Sequence, residues 1–560
     1  ATQMYLPPIK AQGPSKIQCK SFMGYNEREK IDDVQFSIMR NMSGDLIPCA
    51  TPRKSREIIK SISDIKTIFS PQYKNGDLTG FSGVAGTNFW YNDTIISGKP
   101  LTTGEKSIVD FNGKICIFPD KLYYNYLKDS ETGVVINSLQ DMEKSLSLAG
   151  VKFYSYSDKV TGETESYIQK TDANFDKNFK VGDSLVITGC TNGIENNTFV
   201  VDSKTKFAAA EKIISVIVES VEKNKLTLRL YNKNGAVAKF KNITESATVN
   251  ISVYIPNMSH VCVHGNRLWG TSDNGEFVYA SKLGDCFNFN SFQGLADDSW
   301  YGTIATDGEF TGIIGFRNAV VAFKRNHIHH IYGDSPQNFS IPKQTNGGTL
   351  DGKSLSEIGG VLYYLAGNGF FAYTGGQPEK ISDNILEKYI SCCGGTDGVK
   401  YYACAEKADH TFDVLVYTPQ YRMWHKEDNL HFVGFIEYNG KLYGATRTEV
   451  LKFESGSEVV SWSMASKKFT LDSMEHKGVN DIFIRINLNS GSNVKIYFSK
   501  DDGEFKKCGE VSKSGYFVHK IPVRFVKCDS FRVKIEGTGN AVLHDIEVVQ
   551  YIGGKNNGKY

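Results

Sequence analysis

The feature that most constrains this chain is a recurring segment in which a tight Asn/Gly turn is followed at once by a short aromatic and β-branched run. It reads Asn112-Gly-Lys-Ile-Cys-Ile-Phe118, Asn266-Arg-Leu-Trp-Gly270, Asn318-Ala-Val-Val-Ala-Phe323, Gly359-Gly-Val-Leu-Tyr-Tyr-Leu365, Gly398-Val-Lys-Tyr-Tyr-Ala403 and Asn439-Gly-Lys-Leu-Tyr-Gly444. From Asn266 onward the turns lie roughly 40–50 residues apart, the period at which one four-stranded sheet follows another in a β-propeller. Such a sheet cannot bury both faces alone, so a periodic series of them predicts sheets stacked on one another. Helix-period stretches are rare, and Gly is abundant at 53 residues. The expected class is therefore all-β, a β-propeller with additions.

The additions follow from where the period breaks. Asn112 and Asn266 are separated by about 150 residues, far more than one sheet needs. Within that gap, residues 151–255 turn polar and rich in Lys, Asn and Thr, with strands such as Lys180-Val-Gly-Asp-Ser-Leu-Val-Ile-Thr188 and Lys225-Leu-Thr-Leu-Arg-Leu-Tyr231. This reads as a small β-rich domain inserted in the propeller, whose own parts are residues 61–150 and 256–455. After Phe453 the aromatic pattern gives way to alternating strands with one polar face, such as Asp481-Ile-Phe-Ile-Arg-Ile-Asn487 and Ser530-Phe-Arg-Val-Lys-Ile-Glu536. Residues 456–553 are expected to form a C-terminal β-sandwich. Residues 1–60 carry Pro7, Pro8, Pro14, Pro48 and Pro52 and read as an extended N-terminal arm, while 554–560 form a loose polar tail. The clearest helical candidates are short: Ser55 to Ile65, which also reads as an extended linker, and Gln140 to Leu148.

At 560 residues the chain exceeds the roughly 250–300 residues at which a single core stops growing, so several cores are required. Its 64 Lys and Arg against 62 Asp and Glu give a formal charge of +2, too little for a sequence-independent pull on phosphate. With no long apolar run and no leader-like start, neither membrane insertion nor Sec export is expected. Eleven cysteines without CxxC spacing read as reduced, mostly buried thiols, with neither disulfide nor zinc.

Several motifs invite a chemical reading, and each has a blander one. Gly347-Gly-Thr-Leu-Asp-Gly352-Lys353-Ser354 fits the phosphate-binding loop GxxxxGK[ST], but the segment before it is polar and Gly359 to Leu365 after it is strand, where a helix is required. Gly182-Asp183-Ser184-Leu185 spells a lipase-like signature, yet it sits among alternating strand residues and reads as a hairpin turn. His327 and His329 share a strand face, with His330 beside them, and His260 and His264 are four apart, but no third ligand is in register with either set. Ser499-Lys-Asp501-Asp-Gly503-Glu-Phe505 resembles an Asp-box hairpin, a turn stitched by Ser and Asp hydrogen bonds. The carboxylate pairs Asp297/Asp298 and Glu427/Asp428 would suit glycoside hydrolysis only across a cleft, and read as turn or surface groups. No catalytic, cofactor-binding or metal-binding residue is assigned on this basis, and the chain is expected not to be an enzyme.

The order of phrases along the chain resembles a family of structural proteins in phages and prophages of Gram-positive, often gut-dwelling bacteria, known as stabilization proteins. The phrases that carry the likeness are Met4-Tyr-Leu-Pro-Pro-Ile9, Asn41-Met-Ser-Gly-Asp45 with Pro52-Arg-Lys54, and Val181-Gly-Asp-Ser-Leu-Val-Ile-Thr-Gly-Cys190. They continue with Asn266-Arg-Leu-Trp-Gly270, Ala280-Ser-Lys-Leu-Gly-Asp285, Asp307-Gly-Glu-Phe-Thr-Gly312, Gly375-Gly-Gln-Pro378 and Trp424-His-Lys-Glu-Asp428. The family is distantly similar to the packaged-DNA stabilization and tail nozzle proteins of short-tailed phages. The resemblance implies a virion protein of the neck or tail, made in the bacterial host cytoplasm and assembled as a cyclic homo-oligomer, a hexamer. It would meet portal, adaptor or other tail proteins and let phage DNA pass through its channel without sequence-specific contact. The alternative role is a tail-tip adhesin in which exposed aromatics such as Trp300 and Tyr301, or the C-terminal sandwich, hold a host surface glycan.

Overall fold

The computed structural model describes residues 15–71, 81–92, 94–128, 133–190, 213–232, 234–342, 345–470 and 476–552. Met4 to Ile9 and the tail at 554–560 lie outside them. The chain divides into two compact units that interleave in sequence. One comprises residues 1–63, 354–372 and 379–560, the other 64–353 and 373–378. Among the described residues, secondary structure is β throughout apart from a single α-helical turn, Phe175–Asn178, and short 3-10 turns. No helix among the described residues is long and apolar enough to cross a membrane.

The second unit holds four antiparallel four-stranded sheets, each made by consecutive strands. The first runs Ile65–Phe69, Ser82–Ala85, Asn88–Tyr91 and Thr94–Ile95, and the second starts at Ser107–Phe111, the third at Met258–His264 and the fourth at Phe310–Phe316. The strand Lys114–Phe118 shows why these runs look continuously apolar. Ile115 and Ile117 enter a cluster with Val84, Phe89 and Tyr91 of the first sheet, while Cys116 and Phe118 on the opposite face enter a cluster with Val261, Leu268 and Tyr279 of the third. A strand buried on both faces has no reason to alternate. The turns before these strands obey the same economy. Asn112 and Gly113 both have positive φ (50° and 84°), as do Gly265 and Asn266 (57° and 54°), the mirror-image turn whose twist suits a two-residue hairpin.

Between the second and third sheets lies a six-stranded antiparallel sheet. Its order is Leu185–Thr188, Ile243–Val253, Lys144–Ser157, Thr164–Gln169, Lys225–Asn232 and Ile213–Val221. It has its own core, which includes Phe153, Ile168, Phe175, Leu226 and Ile251.

In the first unit the consecutive strands Tyr389–Thr396, Tyr401–Lys407, Phe412–Thr418 and Met423–Lys426 form one end of a nine-stranded sheet, and four-stranded sheets start at Ser356–Ile358 and Gly434–Tyr438. The last of these sheets is completed by a strand from far upstream. Ser55–Ser61 pairs antiparallel with Glu449–Gly456, with Ile58 opposite Leu451. This corrects the helical reading of Ser55 to Ile65, and Gln140 to Leu148 likewise falls on strands Gln140–Asp141 and Lys144–Ser157. In both cases tertiary pairing outweighs weak local propensity. Farther on, Lys477–Leu488, Gly515–Cys528, Ala541–Ile552 and Ser15–Cys19 form one sheet. Ser461–Ser466, Phe531–Thr538, Asn493–Lys500 and Lys506–Val511 are the other end of the nine-stranded sheet, joined to Met423–Lys426 through Phe36–Arg40. The inner faces of both contribute to one cluster around Ile482, Ile496, Ile535 and Leu543.

Candidate functional site

The densest buried charge in the first unit lies where the N-terminal segment meets the strand Met423–Lys426. Arg53 follows the short strand Thr51–Pro52, and Arg56 sits on Ser55–Ser61. Both turn toward Glu427 and Asp428, just past the end of Met423–Lys426. Arg56 forks across the two carboxylates, with Nη2 2.5 Å from Glu427 and Nη1 2.7 Å from Asp428. Arg53 Nη2 lies 3.0 Å from Asp428, and its Nε 3.7 Å from Glu427. The Arg56 guanidinium is only 5% exposed, and it stacks 4.5 Å from the Phe453 ring centroid and 5.0 Å from that of Phe432. Burial works against its charge, but Glu427 and Asp428 outweigh that and hold it more firmly protonated than usual, whereas burial and the neighbouring Arg56 lower Arg53.

Two further clusters fasten the same segment. Lys426 Nζ lies 3.1 Å from both Glu27 and Asp413, and Lys407 is 3.1 Å from Asp413. Tyr389 donates to Asp413 at 2.9 Å and Tyr25 to Glu27 at 2.5 Å. Against the cost of burial, Tyr25 and Lys426 hold Glu27 below the usual carboxylate range. Close by, Lys400 pairs with Asp45 at 2.6 Å. His425, 1% exposed, is pushed down to about 4 by burial. The chemistry of the arrangement is electrostatic fastening, since every carboxylate named here is already engaged by a cation or a hydroxyl donor. Sequence reasoning missed it and read Glu427/Asp428 as turn or surface groups. Alternation does not govern two residues beyond a strand end, and both are turned to the same arginines. The opposite charges in Pro52-Arg-Lys54 and Trp424-His-Lys-Glu-Asp428 were the available signal.

In the second unit, Arg267 plays a comparable part with backbone partners. It is 1% exposed, and its guanidinium donates to the carbonyls of Ser281 at 2.8 Å, Asp298 at 2.5 Å and Ala296 at 2.9 Å. The Asp297/Asp298 pair is divided in role. Asp297 pairs with Lys282 at 3.0 Å, while buried Asp298 accepts from Ser291 Oγ and the amides of Gln293 and Leu295.

The remaining motifs are distributed as follows. In the phosphate-loop match, a side chain on Gly348 would meet the Lys324 carbonyl at 1.7 Å and one on Gly352 the Thr311 carbonyl at 2.3 Å, while Lys353 pairs with Glu105. The loop lies against its own sheet and is followed only by a three-residue 3-10 turn, Gly352–Ser354, where a phosphate site needs an α-helix. Ser184, bridged to Ile217 just after the turn at Val181 and Gly182, donates to the Asn290 carbonyl at 2.6 Å. The Ser499 to Phe505 loop is stitched by Ser499 Oγ to the Gly503 carbonyl and by Asp501 accepting from the amides of Asp529 and Ser530. Trp300 packs against Trp269 and Phe339, and Tyr301 against Phe277 and Phe292, so neither stands out as a glycan platform.

His327 and His329 do reach one place, a cavity of about 600 Å³ with Thr303, Thr306 and Asp307. His329 is hydrogen-bonded to Thr306 Oγ1 at 2.9 Å, and burial pushes it down to about 4. His330, on the other face, bonds to Tyr373. His260 is bound to the Phe310 carbonyl at 3.1 Å. No group of three metal-ligating side chains occurs among the described residues.

No family model and no curated protein matches the chain. Solved structures that it is similar to include an exo-β-1,3-galactanase from Phanerochaete chrysosporium, 9% identical, with 52% of this chain and 95% of that one covered at a TM-score of 0.21. Another is the protein named U3-55K, 7% identical, with 72% and 99% covered at 0.28. A third is the extracellular domain of a hybrid two-component system from B. thetaiotaomicron, 9% identical, with 90% and 81% covered at 0.26. The expectation that the chain is not an enzyme is corrected by this result and is not retained. Glycoside hydrolases stand among the similar structures, and an all-β frame hosts catalysis as readily as scaffolding.

Proposed function

We propose that the chain is a structural protein of a bacteriophage particle, a component of the neck or tail that surrounds the DNA exit path. In this reading the four-stranded sheets are propeller blades, the sheet within residues 144–253 is an inserted domain, and the paired sheets after Ser461 form a β-sandwich.

One observation carries the proposal. Several of the phrases by which the sequence resembles phage stabilization proteins hold residues that fasten the frame, and three of them meet. Arg53 of Pro52-Arg-Lys54 reaches the Glu427 and Asp428 of Trp424-His-Lys-Glu-Asp428, and its Nε donates to Asn41 of Asn41-Met-Ser-Gly-Asp45 at 2.8 Å. A second pair behaves alike. Arg267 and Leu268 of Asn266-Arg-Leu-Trp-Gly270 bind Ser281 of Ala280-Ser-Lys-Leu-Gly-Asp285, and the Gly284 amide donates to the Asn266 carbonyl. Residues that resemble a family at its joints support a shared framework.

The partners in this reading are further copies of the chain in a hexameric ring, portal, adaptor or other tail proteins, and DNA in transit. The test is peptide counting on purified particles of the phage or induced prophage that encodes the chain, with electron microscopy of the isolated protein. Ring stoichiometry in the particle and closed rings in the images are expected. Absence from particles would overturn the reading.

A further inference from the structure

Among the described residues, the sheet made of Ser15–Cys19, Ala541–Ile552, Lys477–Leu488 and Gly515–Cys528 ends in two open edges. Among the described residues, Ser15–Cys19 pairs only with Ala541–Ile552, and Gly515–Cys528 only with Lys477–Leu488. An open edge presents a row of unpaired amides and carbonyls to any strand that can lie beside it. Pro522 lacks an amide to donate, so the usable run of the longer edge strand is Gly515 to Ile521.

Both edges also leave the core incompletely covered. Ile17 on one edge strand and Phe517 on the other pack against the shared apolar cluster but remain only partly buried. On the outer face of the longer strand, Tyr516 and Val518 are 59% and 54% exposed. The two partly buried core residues stand on opposite edge strands of one sheet, and an apolar neighbour in the adjoining strand position, which no described residue fills, would cover each.

We infer that this sheet continues from one copy of the chain to the next, with Gly515 to Ile521 of one copy pairing with Ser15–Cys19 of its neighbour. Direction favours it. All neighbours in the sheet are antiparallel, so with four strands the two edges run in opposite senses, and a head-to-tail contact between them preserves the antiparallel order. It also covers Ile17 and Phe517 together, whereas a twofold contact of the longer strand with itself leaves Ile17 open. Head-to-tail contacts of this type generate rings where the rotation closes. The inference rests on the ring reading above and supplies it with a lateral contact.

Lys16 and Lys520 make the test direct. Both lie on the edge strands with exposed side chains, 62% and 57%. Within one copy they sit about three strand spacings apart, roughly 14 Å, inside the reach of common amine cross-linkers. Full-length protein co-assembled from isotopically heavy and light chains should therefore be cross-linked and searched for heavy–light hybrid peptides. Hybrid Lys16–Lys520 links are expected, together with loss of the oligomer in Val518→Pro at an unchanged unfolding temperature. An oligomer with no hybrid Lys16–Lys520 link, or with Lys520–Lys520 hybrids instead, overturns the edge contact while leaving ring formation standing. A monomer in solution overturns the contact, and absence from particles is what removes the wider reading. Lys16→Cys with Lys520→Cys, cross-linked by a bifunctional maleimide, repeats the measurement if Val518→Pro fails to fold.

Discussion

At the scale of single residues, the molecule invests in buried charge, and the consequence is testable at Arg56. Replacing it with Ala leaves Arg53 as the remaining arginine on Glu427 and Asp428 and removes the guanidinium stacked on Phe432 and Phe453. Removing one member of a buried pair costs about 3–5 kcal/mol, and the surviving Arg53 places Arg56→Ala near the lower end. Arg229→Ala, which breaks the exposed pair with Glu219, should cost less than about 1 kcal/mol in the same denaturant titration. The second prediction concerns acid. His425 is neutral in the fold with a pKa of about 4, below its ordinary 6.5, and Glu427, Lys400, Asp45 and Arg53 surround it. The unfolded chain therefore binds the extra proton between those values. Stability from this site is fully present above pH 6.5 and is lost as pH falls toward 4, by at most about 3 kcal/mol. Thermal unfolding followed across that range should show the decline, and His425→Gln should make it shallower, with buried His329 contributing the rest. Little of this was legible in the sequence. The polarity of Arg267 or Asp298 is visible there, but their partners are mostly backbone groups that only the folded path assembles.

At the scale of elements, much more could be read. The two-residue turns and the apolar runs after them follow from backbone sterics and double-sided burial, which act locally, so the sequence pattern and the strands coincide. What escaped was pairing across long separations, as when Ser55–Ser61 completes a sheet with Glu449–Gly456. No periodicity in Ser-Arg-Glu-Ile-Ile-Lys-Ser encodes that partner. Glycines separate the local and the long-range cases experimentally. Gly440, at φ +68° in an Asn-Gly turn, has nothing within 4 Å of an added Cβ, so Gly440→Ala should cost only the left-handed backbone term of about 1–2 kcal/mol. Gly348 lies where an added Cβ would sit 1.7 Å from the Lys324 carbonyl, a backbone atom that cannot swing aside. Gly348→Ala should therefore destabilise by clearly more than Gly440→Ala, measured as the shift in denaturation midpoint. Equal shifts would show that the loop at Gly347 to Lys353 is free to lift from its sheet and would reopen the phosphate-loop reading.

At the scale of the whole molecule, composition limits what the surface can do to a polyanion, because contacts with phosphate release counterions in proportion to their number. For duplex DNA, the logarithm of affinity falls with the logarithm of salt at about −0.9 per phosphate neutralised. The 64 basic side chains are nearly matched by 62 acidic ones, and many are already committed to ion pairs, from buried Arg56 to exposed Lys99 with Asp141. A basic surface able to engage 6–10 phosphates would need a local excess that this interspersed pairing works against. Binding of duplex DNA to the purified protein, followed by fluorescence anisotropy over a salt series, should accordingly be weak, with a slope shallower than about −3. A wall of that character would let DNA slide past, as the proposed position on the exit path requires. A steep slope would instead place a concentrated basic lining on the assembled molecule, and the protein would then grip DNA.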